Sequence, residues 1–90
     1  MNTITLHGDI DIYNVNKLKE ELEKCTGGEI LIDASDLSYI DSTGLGVLVS
    51  TLNRIRQQDG SIRICGLKPH IYKIFELTGL HEIFDIEVAK

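Results

Sequence analysis

The sequence predicts an α/β domain: a small, mostly parallel or mixed β-sheet with amphipathic helices packed against it. Three observations carry this. Apolar segments of strand length alternate down the chain with segments of helical period. One of the strand-length segments, Ile30-Leu31-Ile32, is continuously apolar, which suits a parallel strand covered on both faces. The intervening helical segments are long enough to be crossovers between parallel strands. At 90 residues the chain reads as one domain spanning 1–90.

The elements follow in order. "NTITLHGDIDI" places Ile4 and Leu6 on one face and Thr3, Thr5 and His7 on the other, a strand with one solvated side that Gly8-Asp9 is expected to break. A second short strand after the break is an open alternative. "YNVNKLKEELEKC" carries Val15, Leu18, Leu22 and Cys25 on one helical stripe. Asn14 is the predicted cap, Gly27-Gly28 the stop, and Lys17–Glu21, Lys19–Glu23 and Glu20–Lys24 are pairs on the wet face. "EILID" is the buried strand and "ASDLSYID" a connector. Leu45, Leu48, Val49, Leu52 and Ile55 mark a second helix ending near Gly60. "SIRIC" alternates as a strand. Pro69 opens a third helix with Ile71, Ile74, Phe75 and Thr78 on one face, closed by Gly79, and "EIFDIEVAK" holds a last short strand.

Composition removes several functions. The net charge of −5 and the scattered basic residues oppose a nucleic-acid partner. No stretch approaches the ~20 apolar residues of a membrane span, so no membrane insertion is expected. The opening "MNTITLHGD" lacks a basic region followed by an apolar one, which predicts a cytoplasmic protein. Cys25 and Cys65 lack metal-type spacing and are expected to be reduced core or boundary residues. No metal and no cofactor is expected. His7, His70 and His81 read as surface residues, and Glu20, Glu21 and Glu23 as a solvated face.

The stretch "YIDSTGLGVLV", residues 39 to 49, concentrates the polar chemistry where a strand hands over to a helix. Parallel α/β sheets collect their functional groups at such strand ends. Asp41 or Ser42 can cap the helix. Gly44 and Gly46 each cost roughly 0.5–1 kcal/mol of helix stability relative to alanine, so both need a reason. Tight packing on a neighbouring element is one; close approach by a partner or an anion is the other. A phosphate-binding loop would need a Gly-Lys-Ser/Thr ending, which is missing. A serine hydrolase would need a nucleophile elbow and a base, and neither is identifiable. A regulatory phosphorylation site at a helix N-terminus fits, because the helix dipole tolerates added negative charge. Tyr39 reads either as a core aromatic or as a border of such a site.

"DLSYIDSTGLGVLV" (36 to 49) resembles the signature of bacterial anti-sigma factor antagonists, the STAS domain family. "LHGDID" (6 to 11) is similar to that family's early Gly-x-x-Asp element, and "DGSIRICGLKPHIYKIFELTGLHEIFDI" (59 to 86) to its later strand and helix. The resemblance implies a non-enzymatic binding module that captures a serine-kinase anti-sigma factor and frees the sigma factor. It implies that the kinase phosphorylates Ser42 and that a serine phosphatase reverses this. Asp41, Ser42, Thr43, Gly44, Gly46 and Val47 are the implied partner-binding residues, with Gly8, Asp11 and Tyr39 beside them. An accessory subunit of a lipid-transport or sensory complex is the alternative within the same family. Family members typically carry another strand before the "GDID" equivalent and a helix at the end, so an exposed sheet edge is expected here.

Overall fold

A computed structural model of the chain describes residues 2–26 and 28–89. Strand β1 (Asn2–Ile10) leads through a loop to helix α1 (Val15–Glu23). Then come β2 (Glu29–Ile40), α2 (Ser42–Gln57), β3 (Ser61–Leu67), α3 (Pro69–Leu77), a 3₁₀ turn (Leu80–Glu82) and β4 (Asp85–Val88). The four strands form one sheet in the order β1-β2-β3-β4, with every pair parallel. Each successive strand joins its predecessor through a helical connection, as alternating segments require.

The sheet has one buried face. Ile4 and Leu6 of β1 align with Ile32 and its neighbours in β2, and Ile30 and Ile32 align with Ile62 and Ile64 in β3. Against them pack Leu18 and Leu22 of α1, Leu48, Leu52 and Ile55 of α2, and Ile71 and Phe75 of α3, all buried. Burying each such side chain stabilises the fold by ~1.5–3 kcal/mol. Phe75 meets Phe84 edge-to-face, with ring centroids 6.0 Å apart. The opposite face carries Thr3, Thr5, Arg63, Asp85 and Glu87 and is open to solvent. The expectation that both faces of β2 are covered is therefore corrected. Leu31 is half-buried, flanked in register by Thr3 and Arg63, and no helix lies over it.

Several local expectations also change. The "ASDLSYID" connector is mostly strand, because β2 runs on to Ile40. Register shifts between Thr5 and His7 and between Gly8 and Asp9 break its two-residue alternation, so burial moves from Ile32 and Ala34 to Leu37 and then Ile40. At the shift the Asp33 carboxylate accepts hydrogen bonds from the Ser35 amide (3.0 Å) and hydroxyl (2.7 Å). Those two bonds, the amide first, hold its pKa below the usual carboxylate value. Gly8 and Asp9 bend β1 without ending it; Gly8 takes a φ of 59°, and pairing continues to Ile10 opposite Ile40. No second strand precedes α1 among the described residues.

Asn14 makes no side-chain cap to α1. Its amide instead fastens the loop, donating to the Asp9 carbonyl (2.7 Å) and accepting from the Asp11 N–H (2.9 Å). Helix α1 ends at Glu23, short of the predicted glycine stop, of which Gly27 lies outside the described residues. Its C-terminal end is also tied from another element: Arg54 of α2 donates to Leu22 O (2.7 Å), which also accepts the Cys25 N–H, and to Cys25 O (2.9 Å) just beyond the helix. The i,i+4 pairs of α1 do not close as ion pairs among the described residues; Arg63–Glu87 does, and the His7 ring is hydrogen-bonded to the Asp36 carboxylate. The left-handed residue after α2 is Asp59 (φ 59°), with Gly60 packed against the Gly28 carbonyl. Thr78, expected on the apolar face of α3, is instead exposed and is its C-cap, and the left-handed Gly79 follows as the expected close. Cys25 is buried, Cys65 half-buried, and both are free.

Candidate functional site

The ends of β1 and β2 lie side by side, and the site is built on that junction. The Asp41 N–H donates to the Ile10 carbonyl (3.1 Å), which ties the last residue of β2's exit to the end of β1. Asp41 is extended (φ −94°, ψ −178°) and is the N-cap of α2. Its carboxylate accepts the Gly44 N–H at 3.0 Å and its carbonyl accepts the Leu45 N–H at 3.0 Å. A helix start leaves its first amides without partners inside the helix. The Asp41 carboxylate takes up that of Gly44, and those of Ser42 and Thr43 remain at the helix mouth.

This settles which residue caps. Ser42 is the first helical residue and Thr43 the second. Of the two cap candidates, Asp41 is the cap and Ser42 is not; Ser42 is exposed, while Thr43 is half-buried. No histidine stands as a base for Ser42. His7 is bonded to Asp36 (2.9 Å), His70 to the Ser38 carbonyl (3.1 Å) and His81 to the Phe75 carbonyl (3.4 Å). Among the described residues no three His, Cys, Asp or Glu side chains are grouped to hold a metal, and no helix is long and apolar enough to cross a membrane.

The two glycines do different things. A methyl group on Gly44 would stand 2.7 Å from Ile40 Cγ1 and 2.8 Å from Ile10 Cγ2, well inside contact distance. Gly44 is buried and lets α2 sit down on the ends of both strands, so its place is in the packing and not on the presented surface. A methyl group on Gly46 would meet nothing within 4 Å, and Gly46 is exposed. With Thr43, Val47, Ser50, Thr51 and Arg54 it lines a shallow groove shared with Lys19 and Glu23 of α1.

The predicted neighbours do gather here. Gly8 opposes Leu37 and Asp9 opposes Tyr39 at the top of the β1–β2 ladder. Asp11 follows Ile10, and its carboxylate accepts the Tyr13 N–H (2.9 Å), shaping the loop that faces the helix mouth. Tyr39 is 49% exposed, which rules out a core aromatic. Sequence reasoning left Ile12 and Tyr13 unassigned. They are 65% and 94% exposed in the β1–α1 loop. The available signal was two apolar residues in a turn, belonging to the stripe of neither neighbouring element.

The STAS domain model matches residues 2–89. An anti-sigma-B factor antagonist of Listeria monocytogenes is 40% identical over 87 residues, covering 93% of this chain and 76% of the relative. One of Bacillus subtilis is 38% identical over 85 residues, covering 92% and 78%. The crystal structure of a Thermotoga maritima protein superposes with a TM-score of 0.82 at 25% identity, covering 98% of this chain and 80% of that one. With the parallel β-α order, the capped "DSTGLG" turn and these matches together, the chain belongs to the STAS domain family.

Proposed function

We propose that the chain is an anti-sigma factor antagonist, a regulatory binding module switched by phosphorylation of Ser42. The observation that carries this is the identity of 38% and 40% with two anti-sigma-B factor antagonists over 92% and 93% of this chain. In its unmodified form the module captures a serine-kinase anti-sigma factor through the outer side of the α2 start: Ser42, Thr43, Gly46 and Val47, rimmed by Asp11 and Tyr39. The kinase transfers the γ-phosphoryl group of ATP to the Ser42 hydroxyl and ADP leaves; a serine phosphatase hydrolyses the ester and restores the binding form.

The geometry supports a direct block over a refolding switch. A phosphoryl group adds about −1.5 to −2 charges at neutral pH. At the first residue of a 16-residue helix it meets the open amides of Ser42 and Thr43 and the positive end of the dipole. The fold has little cause to rearrange. The partner complex must instead bury that charge against a surface already holding Asp41, which costs several kcal/mol. A weakening of at least ~100-fold is expected, each 1.4 kcal/mol being tenfold.

The test is incubation with candidate serine-kinase anti-sigma factors and ATP, with phosphate mapped by mass spectrometry and affinity measured for both forms. Phosphate on Ser42, its loss in Ser42→Ala and unchanged uptake in Thr43→Ala are the expected results. Phosphate on Thr43 in the native chain, or equal affinity of both forms, refutes the reading.

A further inference from the structure

Large apolar side chains that the fold leaves exposed are unevenly spread over the surface. Among the described residues they are Ile12, Tyr13, Tyr39 and Leu77. Three of the four stand where β1 and β2 end, so they gather instead of scattering. Ile10 and Ile40 are register partners, and the Asp41 N–H reaches the Ile10 carbonyl. The two chains therefore leave the sheet one strand spacing apart, ~4.8 Å. Ile12 follows one exit by two residues, and Ser42 follows the other by two. Tyr39 is the register partner of Asp9. The loop lies at the opposite end of nine-residue β1 from Asn2, about 26 Å away, so its exposure does not follow from where the sequence begins.

The loop is also fixed before anything binds. The Asp11 carboxylate accepts the Tyr13 N–H (2.9 Å), and the Asp11 carbonyl accepts those of Asn14 (3.1 Å) and Val15 (2.9 Å). The Asn14 side chain ties the turn back to the Asp9 carbonyl and the Asp11 N–H. These bonds hold out two side chains that the core does not use. A partner that takes them has little loop backbone to order.

We infer that Ile12 and Tyr13 are the apolar anchors by which the chain holds its serine-kinase anti-sigma factor, seated in an apolar pocket of that partner beside the contact at Ser42. The inference rests on the anti-sigma factor reading proposed above and adds to it the residues that supply affinity. Ser42, Thr43 and Gly46 offer little apolar area to remove from water, whereas one tyrosine can bury about 150–250 Å². Binding energy in interfaces concentrates in a few large side chains ringed by polar ones. Asp9, Asp11, Asn14 and Asn16 flank Ile12 and Tyr13 in this way. A standard contact of ~800 Å² per partner is ~30 Å across, wide enough to take in both the helix mouth and the loop. Anchoring and switching then fall to different residues: the loop supplies attraction, and the charge state of Ser42 permits or forbids the approach.

The test measures, by calorimetry, the affinity of the full chain for the serine-kinase anti-sigma factor that phosphorylates Ser42, with four variants. Ile12→Ala and Tyr13→Ala should each weaken binding at least ~10-fold. Tyr13→Phe should stay within ~3-fold of the native chain, because the ring supplies the contact. Leu77→Ala changes an exposed apolar residue on the last turn of α3 and should bind as the native chain does. All four changes remove exposed atoms, so the circular dichroism spectrum should not change. In the phosphorylation assay the two alanine variants should raise KM and leave kcat within ~3-fold. Native affinity in either alanine variant, with phosphate on Ser42 still blocking binding, overturns the inference and leaves the Ser42 switch standing. A Tyr13→Phe as weak as Tyr13→Ala overturns the apolar anchor, and so does an equal loss in Leu77→Ala. If no serine-kinase anti-sigma factor binds the native chain, the inference and the reading beneath it fall together.

Discussion

The inner and outer sides of the α2 start are made of neighbouring residues under opposite constraints. On the inner side Gly44 and Leu45 press on Ile10 and Ile40, and even one methyl group is too many. On the outer side Ser42 and Gly46 face solvent, and Gly46 has open space where a side chain would fit. In isolation both glycines lower helix stability by similar amounts. The difference lies in what the missing side chain makes room for. At Gly44 the room is already filled by the two strand ends. At Gly46 it is open to solvent. Six consecutive residues thus anchor the helix on one side and leave the other open to solvent.

The comparison breaks most visibly at Gly44. Gly44→Val forces two γ-carbons into the space of Ile40 and Ile10, and overpacking of this kind costs typically 1–3 kcal/mol. The denaturant midpoint should fall accordingly. A midpoint equal to that of the native chain would show that α2 is not seated on the strand ends.

Asp41→Ala removes the acceptor of the Gly44 N–H and should cost about 1 kcal/mol. Asp41→Asn should recover most of that, since an amide oxygen can accept the same bond. Equal loss in both variants would assign the effect to charge instead of capping.

Gly46→Ala is expected to act in the other direction. With space for the methyl group and a helical backbone, the variant should gain roughly 0.5–1 kcal/mol in stability. Partner affinity should nevertheless fall if the outer side works by close backbone approach. A variant that is both more stable and equally well bound would place Gly46 outside the contact.

The smallest effect belongs to Asp33, remote from the helix start. Its pKa is lowered by the Ser35 amide and hydroxyl, so the ionised form is the one favoured in the folded state. That contribution is fully present above the ordinary carboxylate pKa of about 3.9 and is lost as pH falls through the lower folded value. Asp33→Asn should therefore lower stability slightly at neutral pH, flatten the acid limb, and make little difference at about pH 3 and below. A larger effect at pH 3 than at pH 7 would contradict this. Against the α2 start, this marks how little an exposed turn weighs beside a packed one.

What the sequence determined by itself was whatever depends on local period and residue chemistry. The stripes Val15-Leu18-Leu22 and Leu45-Leu48-Leu52-Ile55 placed two helices. The run Ile30-Leu31-Ile32 marked a parallel sheet, and Pro69 and Gly79 bounded α3. The motif "DSTGLG" named the residues of the helix mouth. Tertiary structure decided what depends on neighbours distant in the chain. The two register shifts against β1 turned a presumed connector into strand, because Leu37 and Ile40 find burial at a spacing that no two-residue alternation predicts. Arg54 ties the end of α1 where a local glycine was expected, since carbonyls can accept from any element that reaches them. Asp41 rather than Ser42 became the cap because β1's last carbonyl holds its backbone extended. The two glycines, alike in sequence, were separated only by where Ile10 and Ile40 come to rest. Period and propensity are written into neighbouring residues; the space around a residue is set by chain that folds back from elsewhere.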